Sequence, residues 1–209
     1  MRILFISPHT DDVELGAGGT LLRLLEENNE ILWIVFSTAE DSLPYGLSKD
    51  TLKKEFLQVV KETGLKDDQY RIFNFKVRRL HEKRQEILEE LVKTNKEFKP
   101  NLVIGPSLKD YHQDHQIVAN EMVRAFKRDA SIICYELPWN HISFDTQLFM
   151  ILKKEHIERK ISLLKNYKSQ IALNRDYFSP DFIWGWARMR GLQVNAKYAE
   201  AFEVVRWIV

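Results

Sequence analysis

Short unbroken apolar runs alternate along the first two thirds of the chain with longer segments whose apolar residues recur at helical spacing. Ile3–Ile6, Ile31–Phe36, Leu102–Ile104 and Ile132–Tyr135 read as buried strands, and Tyr70–Phe75 as a weaker one. Between them, Leu15–Leu25, Asp50–Thr63, His81–Phe98 and Ile117–Phe126 read as helices. The clearest is His81–Phe98, where Ile87, Leu88, Leu91, Val92 and Phe98 follow the helical period. Ser48 is placed to cap the second helix and Gly64 to stop it; Pro100 ends the third.

The last third continues the pattern less regularly. Leu148–Leu152 and Phe202–Val209 predict strands, and Glu155–Tyr167 a helix. Ser179-Pro180 supplies a cap and first-turn pair for a further helix over Asp181–Arg190. No composition break or repeat divides the chain, so residues 1–209 are expected to form one α/β domain. Continuous apolar strands separated by helices predict a mostly parallel sheet covered on both faces. In such open sheets ligands bind outside the carboxyl ends of the strands. The loops after the first and fourth strands are therefore where chemistry is expected.

Composition narrows the function classes. The 209 residues carry 31 Lys+Arg against 30 Asp+Glu, a net charge of +1, which argues against a dedicated nucleic-acid binder. One cysteine, Cys134, excludes an intrachain disulfide and a cysteine-based zinc site. The apolar runs are strand-sized, far short of the roughly 18 residues of a spanning helix, and the N-terminus lacks a hydrophobic signal core. A cytoplasmic location is the expectation.

Both expected loops are chemically unusual. The first reads Pro8-His9-Thr10-Asp11-Asp12-Val13-Glu14, the second Asp110-Tyr111-His112-Gln113-Asp114-His115, and together they hold three of the chain's six histidines. Two imidazoles and one carboxylate, His9, Asp12 and His115, make a three-ligand set that leaves a metal one open position. Zinc suits such a set, and ferrous iron is the alternative. A metal there lowers the pKa of bound water and polarises a carbonyl. Asp11 is then spare to act as general base, His112 to stabilise negative charge on the substrate oxygen, and Asp114 to orient an imidazole. Adjacent aspartates before a helix also serve simply as cap and first-turn residues, and that structural role is the alternative for Asp11 and Asp12.

Other features carry less. Gly16-Ala17-Gly18-Gly19 lacks dinucleotide-fingerprint spacing and reads as close helix-to-strand packing. His81, His141 and His156 sit in charged or mixed surroundings typical of surface residues. Phe182–Trp186 reads as helix packing, Trp139 as a loop aromatic suited to binding or packing, and Arg188 and Arg190 as helix-end charges or anion contacts. Thr38–Leu47 reads as a polar loop at another strand end, suited to a lid.

The two motifs resemble the PIG-L/LmbE family of zinc-dependent N-deacetylases, whose signatures are Pro/Ala-His-Pro-Asp-Asp followed by a glutamate, and His-x-Asp-His. The likeness continues through Gly16–Thr20, Lys99–Ile104, Lys168-Ser169-Gln170, Arg190-Gly191 and Tyr198–Phe202, in order along nearly the whole chain. It implies a Rossmann-like α/β fold and hydrolysis of an acetamido group on an amino sugar. It implies zinc on His9, Asp12 and His115, with Asp11 as base and then acid. His112 would polarise the carbonyl or stabilise the oxyanion, and Asp114 would tune His112; apart from the resemblance, an imidazole beside the metal that Asp114 orients is expected to stay protonated. Two departures stand out. Thr10 replaces the family's usual proline, and Phe73–Arg78 lacks the aspartate that often holds the sugar after the third strand.

The reading is thus a metal-dependent hydrolase that deacetylates the N-acetyl amino sugar part of a small conjugate. It needs no nucleic acid and no membrane span, and it is compatible with a homo-oligomer. The alternatives are an amidase on another sugar or thiol conjugate and a non-catalytic sugar- or nucleotide-binding module.

Overall fold

Alternating apolar runs and amphipathic helices assemble here into three layers. The computed structural model describes residues 1–209 and contains one seven-stranded sheet. Its strands are β1 (Arg2–His9), β2 (Glu30–Ser37), β3 (Tyr70–Ile72), β4 (Leu102–Pro106), β5 (Ser131–Tyr135), β6 (Leu148–Leu152) and β7 (Tyr198–Arg206). They lie in the order β3-β2-β1-β4-β5-β7-β6. The first five are parallel; β7 pairs antiparallel with both β5 and β6. The helices are α1 (Asp12–Glu26), α2 (Thr51–Thr63), α3 (Arg84–Phe98), α4 (Gln113–Phe126), α5 (Lys154–Leu164), α6 (Lys168–Ile171) and α7 (Pro180–Leu192).

Strand alternation divides the core in two. Ile3, Phe5, Ile31, Trp33 and Val35 face the layer of α1, α2, α5 and α7, while Leu4, Ile6, Leu32, Ile34 and Phe36 face α3 and α4. Both faces being covered, the strands read as continuous apolar runs. Chain order reverses between β1 and β4, so their carboxyl ends open the crevice where α/β sheets bind ligands.

Several boundaries differ from expectation. The fourth helix starts at Gln113 rather than Ile117, because His112 caps it: its Nδ1 accepts the Asp114 N–H at 3.2 Å. Polar residues fill that first turn, so apolar periodicity hides it. Ser48 does not cap α2; its hydroxyl donates to Asp50 Oδ1 in the preceding turn, while Gly64 stops the helix at φ +78°. Residues Leu80–Lys83 form a 3₁₀ turn before α3. The last strand begins at Tyr198 and ends at Arg206, since buried Glu200 and Glu203 interrupt its apolar pattern. Ser179 caps α7 as expected, accepting the Phe182 N–H at 3.2 Å. The expected packing role of Gly16 is met: a Cβ there would lie 2.6 Å from the Tyr135 ring.

Candidate metal centre

β1 runs through His9 and meets α1 almost without a loop, which brings His9, Asp11 and Asp12 to the sheet's carboxyl edge. On the neighbouring strand, β4 leads through Ser107–Tyr111 to the cap of α4, which presents His112, Asp114 and His115 to the same spot. The two junctions converge on three atoms. His9 Nδ1 lies 3.3 Å from Asp12 Oδ2, His115 Nε2 lies 3.3 Å from the same oxygen, and the two nitrogens are 3.2 Å apart. Tetrahedral zinc with bonds of about 2.0–2.1 Å sets its ligand atoms about 3.3 Å apart, so this triangle fits a metal. His9, His112 and His115 form a looser set whose ligand atoms lie within 4.8 Å of one another. The set containing Asp12 is tighter and leaves His112 free.

Carboxylates behind the triangle fix both rings. His9 Nε2 sits 2.9 Å from Asp114 Oδ2, and His115 Nδ1 sits 2.7 Å from Asp110 Oδ2. Each imidazole is thereby turned so that its other nitrogen faces the centre, the usual support of a metal-bound histidine. Asp114 is held in turn by the backbone N–H groups of Arg78, at φ +65°, and Leu80, at 2.5 and 3.1 Å. Asp110 also accepts the His112 N–H at 2.8 Å.

Charge is concentrated here. Burial opposes protonation of His9 and His115, yet neighbouring carboxylates outweigh it and raise them to about 9 and about 10. Burial alone would push Asp12 up, but the two histidines hold it well below the ordinary carboxylate range. The same attraction that binds protons at these nitrogens favours a divalent cation, which displaces them. Asp11 is pushed up to about 6, first by burial and then by Asp12.

The expected pairing of Asp114 with His112 is corrected by this geometry. The Asp114 carboxylate faces His9, and only its backbone N–H reaches His112. Nor is His112 kept protonated: burial, and then His115 and His9, lower it to about 4. With Nδ1 accepting, the ring proton of His112 sits on Nε2, which makes a neutral donor. Asp11 precedes α1, but its side chain makes no capping bond. Glu14 is fully buried behind the site, bonded to the Tyr167 hydroxyl, which also donates to Thr10 O at 2.5 Å. One hydroxyl proton cannot serve both acceptors. Burial raises Glu14 well above its ordinary value, and a protonated Glu14 supplies the second donor.

The centre opens into a cleft of about 320 Å³. His9, Asp11, Asp12, His112 and His115 form its floor, with Trp139, Asn140, Gln170, Arg175 and Tyr177 on the opposite wall. Trp139 stacks on Tyr177 with centroids 4.0 Å apart and planes at 12°. Ala39 and Ser42, from the polar loop expected to suit a lid, complete the rim. A larger concavity of about 690 Å³ on the outer face of α3 holds no histidine or aspartate. Asn74, near the site of the missing aspartate, accepts from Thr38 at 2.6 Å and donates to Glu40 at 2.8 Å, and lines a smaller neighbouring cleft.

The family model for GlcNAc-PI de-N-acetylase, PIG-L, matches residues 4–126, more than half of the chain and both junctions. The chain belongs to the PIG-L family. Beyond the PIG-L match, the chain is 28% identical over 172 residues to the uncharacterized deacetylase YaiS of Escherichia coli K12, covering 80% of this chain and 90% of that one. Its fold is similar to that of N,N'-diacetylchitobiose deacetylase from Pyrococcus horikoshii, with a TM-score of 0.79, 18% identity, and 98% and 83% of the two chains covered. The 4-carboxy-2-hydroxymuconate hydratase GalB of Pseudomonas putida KT2440 is equally similar in fold, at TM-score 0.79, 17% identity and 100% and 97% coverage. The PIG-L fold thus carries more than one reaction, and the chemistry has to be argued from the site.

Sequence reasoning missed Asp110, Tyr167, Asn140, Gln170, Arg175 and Tyr177. Asp110 had a signal, a carboxylate five residues before a histidine expected to bind metal. Gln170 lies in the Lys168-Ser169-Gln170 likeness without a role assigned to it; the others come from distant segments with no motif of their own. Of the remaining histidines, His81 is exposed, whereas His156 is buried at 2.9 Å from Glu26. Arg188 is exposed, and Arg190 pairs with Glu136, which also accepts the Trp186 Nε1–H at 2.9 Å. No helix is long and apolar enough to cross a membrane.

Proposed function

We propose that this chain is a metal-dependent N-deacetylase that hydrolyses the acetamido group of an N-acetylated amino sugar, free or within a small conjugate. The observation that carries this is the 3.2–3.3 Å triangle of His9 Nδ1, Asp12 Oδ2 and His115 Nε2, with uncapped Asp11 beside it on the cleft floor. Zinc fits the donor set, with ferrous iron as the alternative, and when bound such an ion supplies carbonyl polarisation and an acidified water.

The chain's own residues supply the rest. Asp11 accepts the proton of the attacking water at a carboxylate oxygen, then returns it to the amine nitrogen as the C–N bond breaks. A group that takes and gives a proton works best with a pKa near the working pH, and Asp11, at about 6, is suited to both steps. His112 Nε2–H donates to the carbonyl oxygen as negative charge builds there. Asp110 and Asp114 act at one remove by holding the two ligand rings. The Trp139–Tyr177 stack offers a flat apolar face, and Asn140, Gln170 and Arg175 offer polar contacts around it. That combination suits a sugar ring, with its C–H face and hydroxyl edge. A cleft of about 320 Å³ is near the small end of ligand sites and suits one sugar unit, leaving the rest of a conjugate outside.

The test is a panel of N-acetylated amino sugars and their lipid- and nucleotide-linked forms, offered to the zinc-loaded and iron-loaded protein. Acetate and free amine are read together, with Asp11→Asn in parallel. Stoichiometric acetate and amine from at least one substrate, lost in Asp11→Asn, is the expected result. No acetate from any substrate would falsify the deacetylase reading, and water addition to an unsaturated acid would then be examined.

A further inference from the structure

Helix α1 carries the Asp11–Asp12 side of the centre, and it is bent. Ala17 departs from helical geometry at φ −142°, ψ 18°, dividing a short arm, Asp12–Gly16, from the long remainder. In an unbroken helix the Leu15 carbonyl pairs with the Gly19 N–H. Here both groups are served from outside. Lys160 Nζ, from α5, donates to Leu15 O at 2.6 Å. Glu200, from β7, accepts the Gly19 and Thr20 N–H groups on its two oxygens at 3.0 and 2.7 Å. Lys160 and Glu200 close the circuit at 2.7 Å, 2% and 4% exposed. The glycine run makes room: a Cβ on Gly19 would lie 2.5 Å from Leu152 and 3.1 Å from Glu200.

Burying an ion pair this deeply seldom adds net stability, because the desolvation of two charges offsets their attraction. We propose that Lys160 and Glu200 are positioning residues: they fix the bend in α1 and so aim the Asp11–Asp12 arm at the centre. Five residues separate Asp12 from Ala17, about 7.5 Å along the axis, so a 20° change at the bend moves Asp12 by roughly 2.5 Å. A functional constellation tolerates about 0.5 Å. Neither residue touches the cleft; both act through the helix. The inference rests on Asp12 as ligand and Asp11 as base.

The test compares wild type, Lys160→Met/Glu200→Gln, and Leu91→Ala, a core truncation on the opposite face of the sheet. Each is taken as the full chain well below its melting temperature. Zinc affinity is measured by chelator competition, and hydrogen exchange at the Gly19 and Thr20 amides by NMR. In the double variant we expect a cooperative melt, faster exchange at both amides, and zinc affinity weakened roughly ten- to a hundredfold. In Leu91→Ala we expect a lower melting temperature with wild-type zinc affinity. Should the double variant not fold, Glu200→Gln alone is read in the same way. Unchanged zinc affinity in the folded Lys160→Met/Glu200→Gln or Glu200→Gln variant, or an equal loss in Leu91→Ala, overturns the proposal. A wild-type chain that binds neither zinc nor ferrous iron overturns the metal reading itself, and this inference with it.

Discussion

The two junctions that build the centre are held in opposite ways. At β4–α4 the turn itself is closed by partners close in sequence, and its remote support is the pair of Arg78 and Leu80 N–H groups on Asp114, 36 and 34 residues away. Ser107 accepts the Lys109 N–H at 3.0 Å, Asp110 accepts the His112 N–H, His112 accepts the Asp114 N–H, and Asp110 supports His115 five residues on. At β1–α1 the partners are remote. Tyr167 reaches Thr10 from 157 residues away, Lys160 reaches Leu15 from 145, and Glu200 reaches Gly19 from 181. One half of the site is shaped largely by its own loop. The other exists only once the C-terminal third has docked, so metal binding and completion of the fold are coupled.

The largest effects should ignore this difference. His115→Ala on the local side, and Asp12→Ala or His9→Ala on the remote side, each delete one of three ligands. All three should lose nearly all bound metal and, with it, turnover, as read by metal stoichiometry on purified protein. Near-stoichiometric metal in any one of them would show that ligand to be misassigned. Next come the groups beside the metal. Asp11→Asn should keep metal and lose turnover by on the order of a hundredfold or more. His112→Ala should keep metal and lose about a hundred- to a thousandfold. Parallel loss of metal in His112→Ala would make it a fourth ligand.

The supports should split the two sides. Asp110→Asn is expected to weaken metal affinity roughly ten- to a hundredfold, with little change in melting temperature. Tyr167→Phe strips the buried Thr10 carbonyl and Glu14 of their shared hydroxyl, and should cost about 1–3 kcal/mol of fold stability as well as metal affinity. If Tyr167→Phe melts like wild type, the remote anchoring of the first junction is wrong. The smallest effect lies at the far end of α1, where Glu26 meets His156 and Arg159, both at 2.9 Å. The His156 bond lowers Glu26 below its ordinary value of 4.5. A carboxylate lowered on folding adds stability above its unfolded pKa and loses it as pH falls through the folded one. The stability gap between wild type and Glu26→Gln should therefore be present at pH 6 and close on acidification below about pH 4.5. Denaturant melts across that range check it; a gap independent of pH would remove the ion pair from the account.

The same contrast explains what could be read from the sequence. The parallel sheet, both motifs and the ligand-type residues were legible because they depend on local periodicity and short spacing. His112, Asp114 and His115 share one helix turn, so their proximity follows from the chain itself. What escaped was long-range. Asp114 was expected to serve His112, but a side chain on the first turn of α4 can turn toward either histidine, and only the packed structure selects His9. The glycines around Ala17 weaken the helix locally, but they do not say that it bends; the groups that hold the bend, Lys160 and Glu200, lie 145 and 181 residues from the groups they bond. The cleft's outer wall, Trp139 to Tyr177, lies on 3₁₀ turns whose meeting no period announces.

That outer wall is contributed entirely by residues beyond 126, while every atom assigned to the chemistry lies before 116. On the proposed function, the residues that do the chemistry and the wall that meets the sugar therefore lie on separate stretches of the chain. Exchange of the Trp139 and Arg175–Tyr177 turns is then expected to change the substrate taken without touching His9, Asp11, Asp12, His112 or His115. The same exchange must leave Lys160, Tyr167 and Glu200 in place, because these three, from the same C-terminal third, bond the segment that carries Asp11 and Asp12.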